Sequence, residues 1–278
     1  MTCSLAILIT CHNRREITLR CLSRLEAQAV PEGWSIQPFV VDDGSIDGTA
    51  DAVASEYPAA KLLPGSGSLY WTGGMMLADE AAMAERPDLL LWLNDDVEFH
   101  DGAIELLINS AERTGNTAIV IGTTIDPDSK APTYGAYRQT GGPLDLELIA
   151  PNGTLQHADT MNGNVVLIPR TVRERIGPLE GRFTHNMADM DYGFRAVDAG
   201  FDIVVAPTPV GACRKNTAKA SWSDPEVPLR QRIRVVRSFK GLPPRQWLRF
   251  TVRHTGWWWP RYFLGPYVRV ILGRSGQQ

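Results

Sequence analysis

The sequence has few cysteines and no long apolar run. Its four cysteines, Cys3, Cys11, Cys21 and Cys213, show no metal-ligand spacing and no disulfide framework, which suits a reducing compartment. No stretch reaches the roughly 18 to 20 apolar residues of a membrane span. The first ten residues carry no basic region, and their apolar run is strand-sized, so they do not read as a signal peptide. No G-x-G-x-x-G follows that run, where a dinucleotide fingerprint belongs; Gly65-x-Gly67 continues to Tyr70 instead. Thr10 to Arg15 holds no glycine either, which argues against a Gly-rich phosphate loop of the nucleotidylyltransfer kind. Internal repeats and low-complexity segments are absent.

What is present is a globular composition with a charge asymmetry. Net charge is -3 over 278 residues, with 44% hydrophobic content. From Thr217 onward there are 12 Lys/Arg against two acids, Asp224 and Glu226, and five of the eight Trp. The preceding body is acidic. The length allows one large domain, or one domain plus an appendage.

Leu89–Leu93 is a continuous apolar run that stops at Asn94-Asp95-Asp96. It reads as a strand buried on both faces. Two adjacent carboxylates at its end repel each other unless a cation lies between them and an anionic ligand, as hard divalent ions do with substrate phosphates. A solvated acidic turn is the other reading. Leu5–Ile9 predicts a first strand ending in Thr10-Cys11-His12-Asn13-Arg14, followed by a helix with Ile17, Cys21, Leu22 and Leu25 inward. Phe39–Val41 predicts a second strand ending in Asp42-Asp43-Gly44-Ser45, then a helix near Ala50–Ala54. This βαβα start argues for a parallel sheet with right-handed crossovers.

A third strand is expected at Lys61–Leu63, and a helix at Met75–Ala84 with Gly73-Gly74 at its N-terminus. Such glycines let backbone N–H groups approach an anion, or simply join a loop to a helix. Further on come a helix over Gly102–Glu112, a strand at Ala118–Ile121 and an irregular or hairpin excursion over Asp126–Pro151. Asn162-Gly163-Asn164 precedes a strand at Val165–Pro169 and a short helix at Arg170–Ile176. Ala188 opens a helix to about Ala199, and Ile203–Val205 is a last strand. Asp189 and Asp191 fall in that helix's first turn, where acids also serve as caps.

Four segments together, Thr10–Arg14, Val41–Thr49, Leu93–Val97 and Ala188–Arg195, resemble the family 2 glycosyltransferases of the GT-A fold. The resemblance covers about Leu5 to Cys213. It implies an α/β, Rossmann-like fold with a mostly parallel sheet flanked by helices over residues 1–215, and a basic, aromatic helical extension over 216–278. It implies inverting transfer of a sugar from a nucleotide-diphospho-sugar, UDP- or dTDP-linked, to a glycan or lipid-linked acceptor in cell-surface polysaccharide synthesis. By resemblance, Thr10, His12, Asn13 and Arg14 line the nucleoside side, Asp43 contacts the base, and Asp42 and Ser45 support that loop. Trp71, Gly73 and Gly74 border the donor, although a core position also suits Trp71. Asp96 matches the carboxylate for a divalent metal, Mg²⁺ or Mn²⁺, with Asp95 beside it as a second metal residue that also faces the ribose or sugar.

Asp189 matches the catalytic base, and Asn162, Gly163, His185 and Asp191 fall on the acceptor side. Three departures stand out: Asn94 replaces the metal motif's leading Asp, Ala188 replaces the Glu usually before the base, and Val210–Asn216 holds no His. Arg214 and Lys215 suit either a diphosphate or a solvated turn. His157 and His185 read as loop histidines, with His185 near enough in sequence to reach the acceptor.

The extension interleaves Arg with Trp and Tyr, which suits a bilayer headgroup zone. A helical hairpin packed on the acidic body and a homodimer interface remain open. Nucleic acid is not expected, because no recognition motif accompanies the charge. The expected location is cytoplasmic, or peripheral on the inner membrane face. The alternatives are a non-catalytic carbohydrate- or membrane-binding module derived from a transferase, for which Asn94 and Ala188 speak, and a dinucleotide-dependent oxidoreductase.

Overall fold

The structure, a computed structural model, describes residues 2–215, 222, 224, 226–239 and 241–272. The expected start of the extension, at residue 216, falls outside the described residues. The chain begins β1 (Cys3–Cys11), α1 (Arg15–Glu26), β2 (Trp34–Asp42), α2 (Thr49–Glu56), β3 (Lys61–Pro64), α3 (Tyr70–Ala84) and β4 (Leu89–Leu93). It continues through α4 (Ala103–Arg113), α5 (Arg170–Ile176) and α6 (Ala188–Asp198) to three tail helices, α7 (Leu229–Val236), α8 (Pro244–His254) and α9 (Trp259–Leu272). No described helix is long and apolar enough to cross a membrane.

The main sheet has eight strands in the order Gln156–Ala158, Ile203–Val205, Ile119–Ile121, Val165–Pro169, β4, β1, β2, β3. β1 pairs in parallel with β2 and β4, β2 with β3, and Ile203–Val205 with Ile119–Ile121. Val165–Pro169 runs antiparallel to β4 and to Ile119–Ile121. That reversal sets Val165 opposite Leu93. The loop entering this strand therefore lies at the carboxyl edge of the parallel strands. The excursion expected over Asp126–Pro151 holds short strands, with Ala136–Gln139 between Leu146–Leu148 and Thr160–Met161.

Strand residues alternate between two cores, as period-2 geometry requires. Ala6, Leu8, Leu90 and Trp92 face α3, α5, α6 and α8, while Leu5, Ile7, Ile9, Leu89 and Leu91 face α1, α2 and α4. All five residues of β4 are buried, as its unbroken apolar run demands.

The tail joins the first of these cores. Trp247 and Phe250 of α8 are buried there, and Phe250 contacts Phe183 and Phe194. An ionic cluster fixes the joint. Asp191, fully buried on α6, accepts Arg253 Nη1 at 2.6 Å, His254 Nε2 at 2.8 Å and Arg195 Nε at 2.9 Å. Burial by itself raises this carboxyl, but hydrogen bonds from His254 and Arg253 and the charge of Arg195 hold it below the ordinary carboxylate range. Asp191 therefore anchors α8 to α6. The acceptor contact expected of it is corrected, because solvent does not reach it.

Removing one member of a buried ion cluster strands the others, at about 3–5 kcal/mol. Asp191→Ala is expected to lose stability of that order in urea denaturation at neutral pH. A carboxyl depressed in the folded state stabilises above its unfolded pKa of about 3.9 and loses that contribution as pH falls through the lower folded value. The gap between wild type and variant should therefore narrow in acid; a gap constant down to pH 2 would refute the assignment.

Candidate active site

The tips of β1, β2 and β4 meet at the carboxyl edge of the parallel strands, where open α/β sheets bind ligands. The first two tips are tied together. Asn13 donates its N–H to Ser45 Oγ at 2.8 Å, and its side-chain oxygen accepts the Ile46 N–H at 2.8 Å. His12 Nδ1 lies 2.6 Å from the Asp43 carbonyl, and Ser45 bonds the Asp42 carboxylate. His12 and Asn13 remain exposed; Asp42 and Asp43 are buried.

Asp43 performs a local task. Its carboxylate accepts the N–H groups of Gly67 at 2.7 Å, Leu69 at 2.8 Å and Tyr70 at 3.1 Å, so it caps α3 and pins the loop before it. The α3 N-terminus therefore already has an anion, and the Asp43 carboxylate expected at the base is engaged by the loop before α3. Gly73 and Gly74 lie inside α3, not ahead of it. Gly74 is a packing glycine: a Cβ there would fall 2.0 Å from Thr10 Oγ1, so its absence lets α3 approach β1.

At the β4 tip a cation does lie between the two carboxylates, and it is Arg14. Its Nη1 donates to Asp95 Oδ1 at 2.6 Å and its Nη2 to Asp96 Oδ2 at 2.8 Å. Thr18 donates to the other Asp95 oxygen at 3.2 Å. Burial pushes the Asp95 carboxyl up to about 7, with the Arg14 charge opposing and the Asp96 charge adding. Asp95 thus faces α1 and is held by Arg14 and Thr18, while Asp96 is the more exposed of the two.

Asp96 is partly exposed, and its second oxygen lies 3.5 Å from Cys213 Sγ. Among the described residues no group of three His, Cys, Asp or Glu side chains could hold a metal. The donor set is one accessible hard carboxylate. It fits an ion that takes a single protein carboxylate and completes its shell with substrate phosphates and water, as Mg²⁺ does. Arg14, Asp96, Cys213 and Arg214 line a cleft of about 270 Å³. Arg214 also pairs with Asp128 at 2.5 Å at the exposed rim of this cleft.

Asn94 works through both ends of its amide. Oδ1 accepts the Trp71 indole N–H at 2.7 Å, and Nδ2 donates to Asn164 Oδ1 at 2.5 Å. The Trp71 ring then lies against Gly163, where a Cβ would meet it at 2.6 Å and Asp189 Cβ at 3.2 Å. Gly163 donates its N–H to Asp189 Oδ2 at 2.9 Å, and Asn162 Nδ2 adds a bond at 3.2 Å. Asp189 Oδ1 accepts the Met190 N–H at 2.9 Å. Burial raises the Asp189 carboxyl above the ordinary range against these bonds.

The structure thus brings together Trp71, Asn94, Asn162, Gly163 and Asp189. It keeps Asp191 apart, and sets His185 against the Phe239 ring at 5.9 Å. His157 pairs with Asp202 at 3.4 Å on the surface. Asn164, whose only signal in the sequence is its place in Asn-Gly-Asn before an apolar strand, joins this set through Asn94. Burial and the Asp189 charge push the Tyr137 hydroxyl up to about 12.

Comparison with known proteins decides the family. The model of glycosyl transferase family 2 matches residues 6–169. The chain belongs to this family. An N-acetylglucosaminyl-diphospho-decaprenol L-rhamnosyltransferase of Mycobacterium tuberculosis is 24% identical over 257 residues, which is 80% of this chain and 77% of the relative. Solved GT-A structures share the fold. The mannosyltransferase PcManGT from Pyrobaculum calidifontis, in complex with GDP-Man and Mn²⁺, has a TM-score of 0.59 at 15% identity, covering 98% of this chain and 74% of that one. S. aureus TarS 1–349 has a TM-score of 0.56 at 13% identity, covering 96% and 72%. GalNAc-T7 with UDP, GalNAc and Mn²⁺ has a TM-score of 0.60 at 12% identity; it covers 73% of this chain, which spans only 42% of GalNAc-T7. The fold expected from the sequence is therefore present, and the dinucleotide-dependent reading falls away.

Gly163→Ala must push the indole off its Asn94 bond or shift Asp189. A displacement of about 1 Å at a reacting group can lower turnover on the order of 10²-fold. The variant should show such a loss in nucleotide release from donor sugar while its melting temperature stays within a few degrees of wild type. Equal turnover in variant and wild type would disprove the coupling.

Proposed function

We propose that this glycosyltransferase moves a sugar, with inversion, from a UDP- or dTDP-sugar to a hydroxyl of a lipid-linked glycan in cell-surface polysaccharide synthesis. One observation carries the reading: Asp189 and Asp96 stand on one sheet edge, linked through Gly163, Trp71 and Asn94 to the β4 tip. One carboxylate serves the acceptor side and one the diphosphate side. The lipid-linked acceptor is suggested by the mycobacterial relative, whose substrate is a diphospho-decaprenol.

Asp189 takes the proton of the acceptor hydroxyl as its oxygen attacks the anomeric carbon, opposite the departing nucleoside diphosphate. The C–O bond to the acceptor forms as the bond to the diphosphate breaks. The proton remains on Asp189 until released to solvent. A raised carboxyl is the better base, and its three hydrogen bonds fix its direction. Asn162 and Gly163 hold the base. Trp71 walls the space between base and β4 tip. Arg14 keeps Asp96 in place and sets positive charge beside it. A divalent cation held by Asp96 would neutralise charge growing on the leaving diphosphate. The base of the donor is expected near the exposed His12 and Asn13.

The test is nucleotide release from UDP-, dTDP- and GDP-sugars, with Mg²⁺, Mn²⁺ or EDTA, and with a lipid-diphosphate glycan acceptor. Release from a UDP- or dTDP-sugar, lost in EDTA and in Asp96→Ala, is the expected result. No release from any donor, with no UDP or dTDP binding by calorimetry, would overturn the reading in favour of a non-catalytic module. Asp189→Asn should reduce transfer by about 10²- to 10⁴-fold while nucleotide binding persists. Asp189 must be ionised to act. Because its carboxyl is raised, activity should fall with acid at a pH above about 3.9, the usual aspartate value; an acid limb below that would contradict a raised Asp189 carboxyl as the group that sets the profile.

A further inference from the structure

Helix α9 has two apolar faces. Phe263, Pro266, Tyr267 and Val270 turn inward, with Pro266 and Val270 buried. Leu264, Val268, Ile271 and Leu272 turn outward, 53%, 47%, 63% and 58% exposed. With Arg261 they fall at positions i, i+3, i+7, i+10 and i+11, one continuous stripe of a helix. A surface helix packed on one core needs only one such stripe. The turn before α9 adds Trp257, 98% exposed, and Trp258, 56% exposed, with Arg261 over the Trp258 ring at 5.8 Å. On α8, Leu248 and Val252 are exposed as well.

We infer that the outward face of α9, with Trp257 and Trp258, docks in the plane of an anionic lipid surface. Charge selects this occupant. Arg249 and Arg253 face Glu180 and Asp191, but Arg230, Arg234, Arg237, Arg245, Arg261 and Arg269 are exposed, against Asp224 and Glu226 as the acids of the described tail, so its outward partner is anionic. A symmetric dimer through this face would set basic segment against basic segment. Tryptophan and arginine flanking aliphatic residues match the headgroup boundary, where the rings sit and guanidinium stems snorkel. The 14 residues of α9 span about 21 Å, too short for a hydrocarbon core of about 30 Å, so the helix lies flat. This inference goes beyond the proposed chemistry and stands without it.

Co-sedimentation of the full chain with phosphatidylglycerol/phosphatidylcholine vesicles, against phosphatidylcholine alone, tests it in the absence of any substrate. Binding should require phosphatidylglycerol, weaken in 0.5 M salt as charges are screened, and blue-shift tryptophan emission. Leu264→Glu/Val268→Glu should lower vesicle affinity at least about tenfold. Trp257→Ala/Trp258→Ala, at a solvent-exposed turn, should lower it as well. Nucleotide release in vesicle-free buffer should match wild type in both. No phosphatidylglycerol-dependent binding would overturn the inference, as would wild-type binding by both variants. A dimer in light scattering that the Glu pair dissociates, without vesicle binding, would assign the face to a second copy instead.

Discussion

The guanidinium of Arg14 between Asp95 and Asp96 is the contact on which the site depends. Two neighbouring carboxylates at the end of a buried strand are mutually repulsive, and one of them is almost wholly removed from water. A planar fork that donates one nitrogen to each resolves both problems, because it neutralises charge and fixes geometry together. It also joins three elements. Arg14 sits just ahead of α1, Thr18 of α1 holds the far oxygen of Asp95, and the acids end β4. The first and fourth strands are thereby locked tip to tip. Asp95 is committed to this lock, which leaves Asp96 as the carboxylate that reaches the cleft.

Much of this architecture was legible because it is written locally. Strand runs, their polar tips and the amphipathic helices depend on residues within a few positions of one another. Leu89–Leu93 could be read as doubly buried from its apolar continuity alone. What failed was non-local. Val165–Pro169 has the same composition whether it runs with its neighbours or against them, yet only the antiparallel course brings Asn162 and Gly163 to Asp189. The role of Asp43 was hidden because its partners are backbone N–H groups some 25 residues away. Gly74 looked like a ligand-facing glycine, and only the position of Thr10 shows that it serves packing.

The departures from the family pattern also acquire physical reasons. An amide at position 94 can accept from Trp71 and donate to Asn164 at once; an ionised carboxylate can only accept. Asn94 therefore orients the indole, where an aspartate would have set a further negative charge beside Asp95 and Asp96. Ala188 is wholly buried in the core shared by α3, α6 and α8. A glutamate there would carry charge into an apolar contact, at a severe desolvation penalty. The missing acid pair is thus consistent with a site built around one outward carboxylate, Asp189, whose direction comes from the Gly163 and Met190 N–H groups.

The same short helix connects chemistry and tail. Asp189 and Asp191 lie two residues apart at the start of α6 and point to opposite purposes. One faces the sheet edge; the other is clasped by Arg253 and His254 of α8. Glu180 reinforces the clasp through Arg249 and Arg253. The first turn of α6, which carries Asp189, is thus held from behind by the tail. Helix α9 packs on α7 and α8 and shares the core through Phe263 and Tyr267. A surface that meets lipid through α9 would therefore be joined to Asp189 through the packed contacts of α9 with α8 and of α8 with α6. For an acceptor hydroxyl carried on a lipid diphosphate, that chain of contacts would place Asp189 and the lipid surface on one packed body, so that the attacking oxygen reaches the carboxylate from the side on which its carrier is anchored.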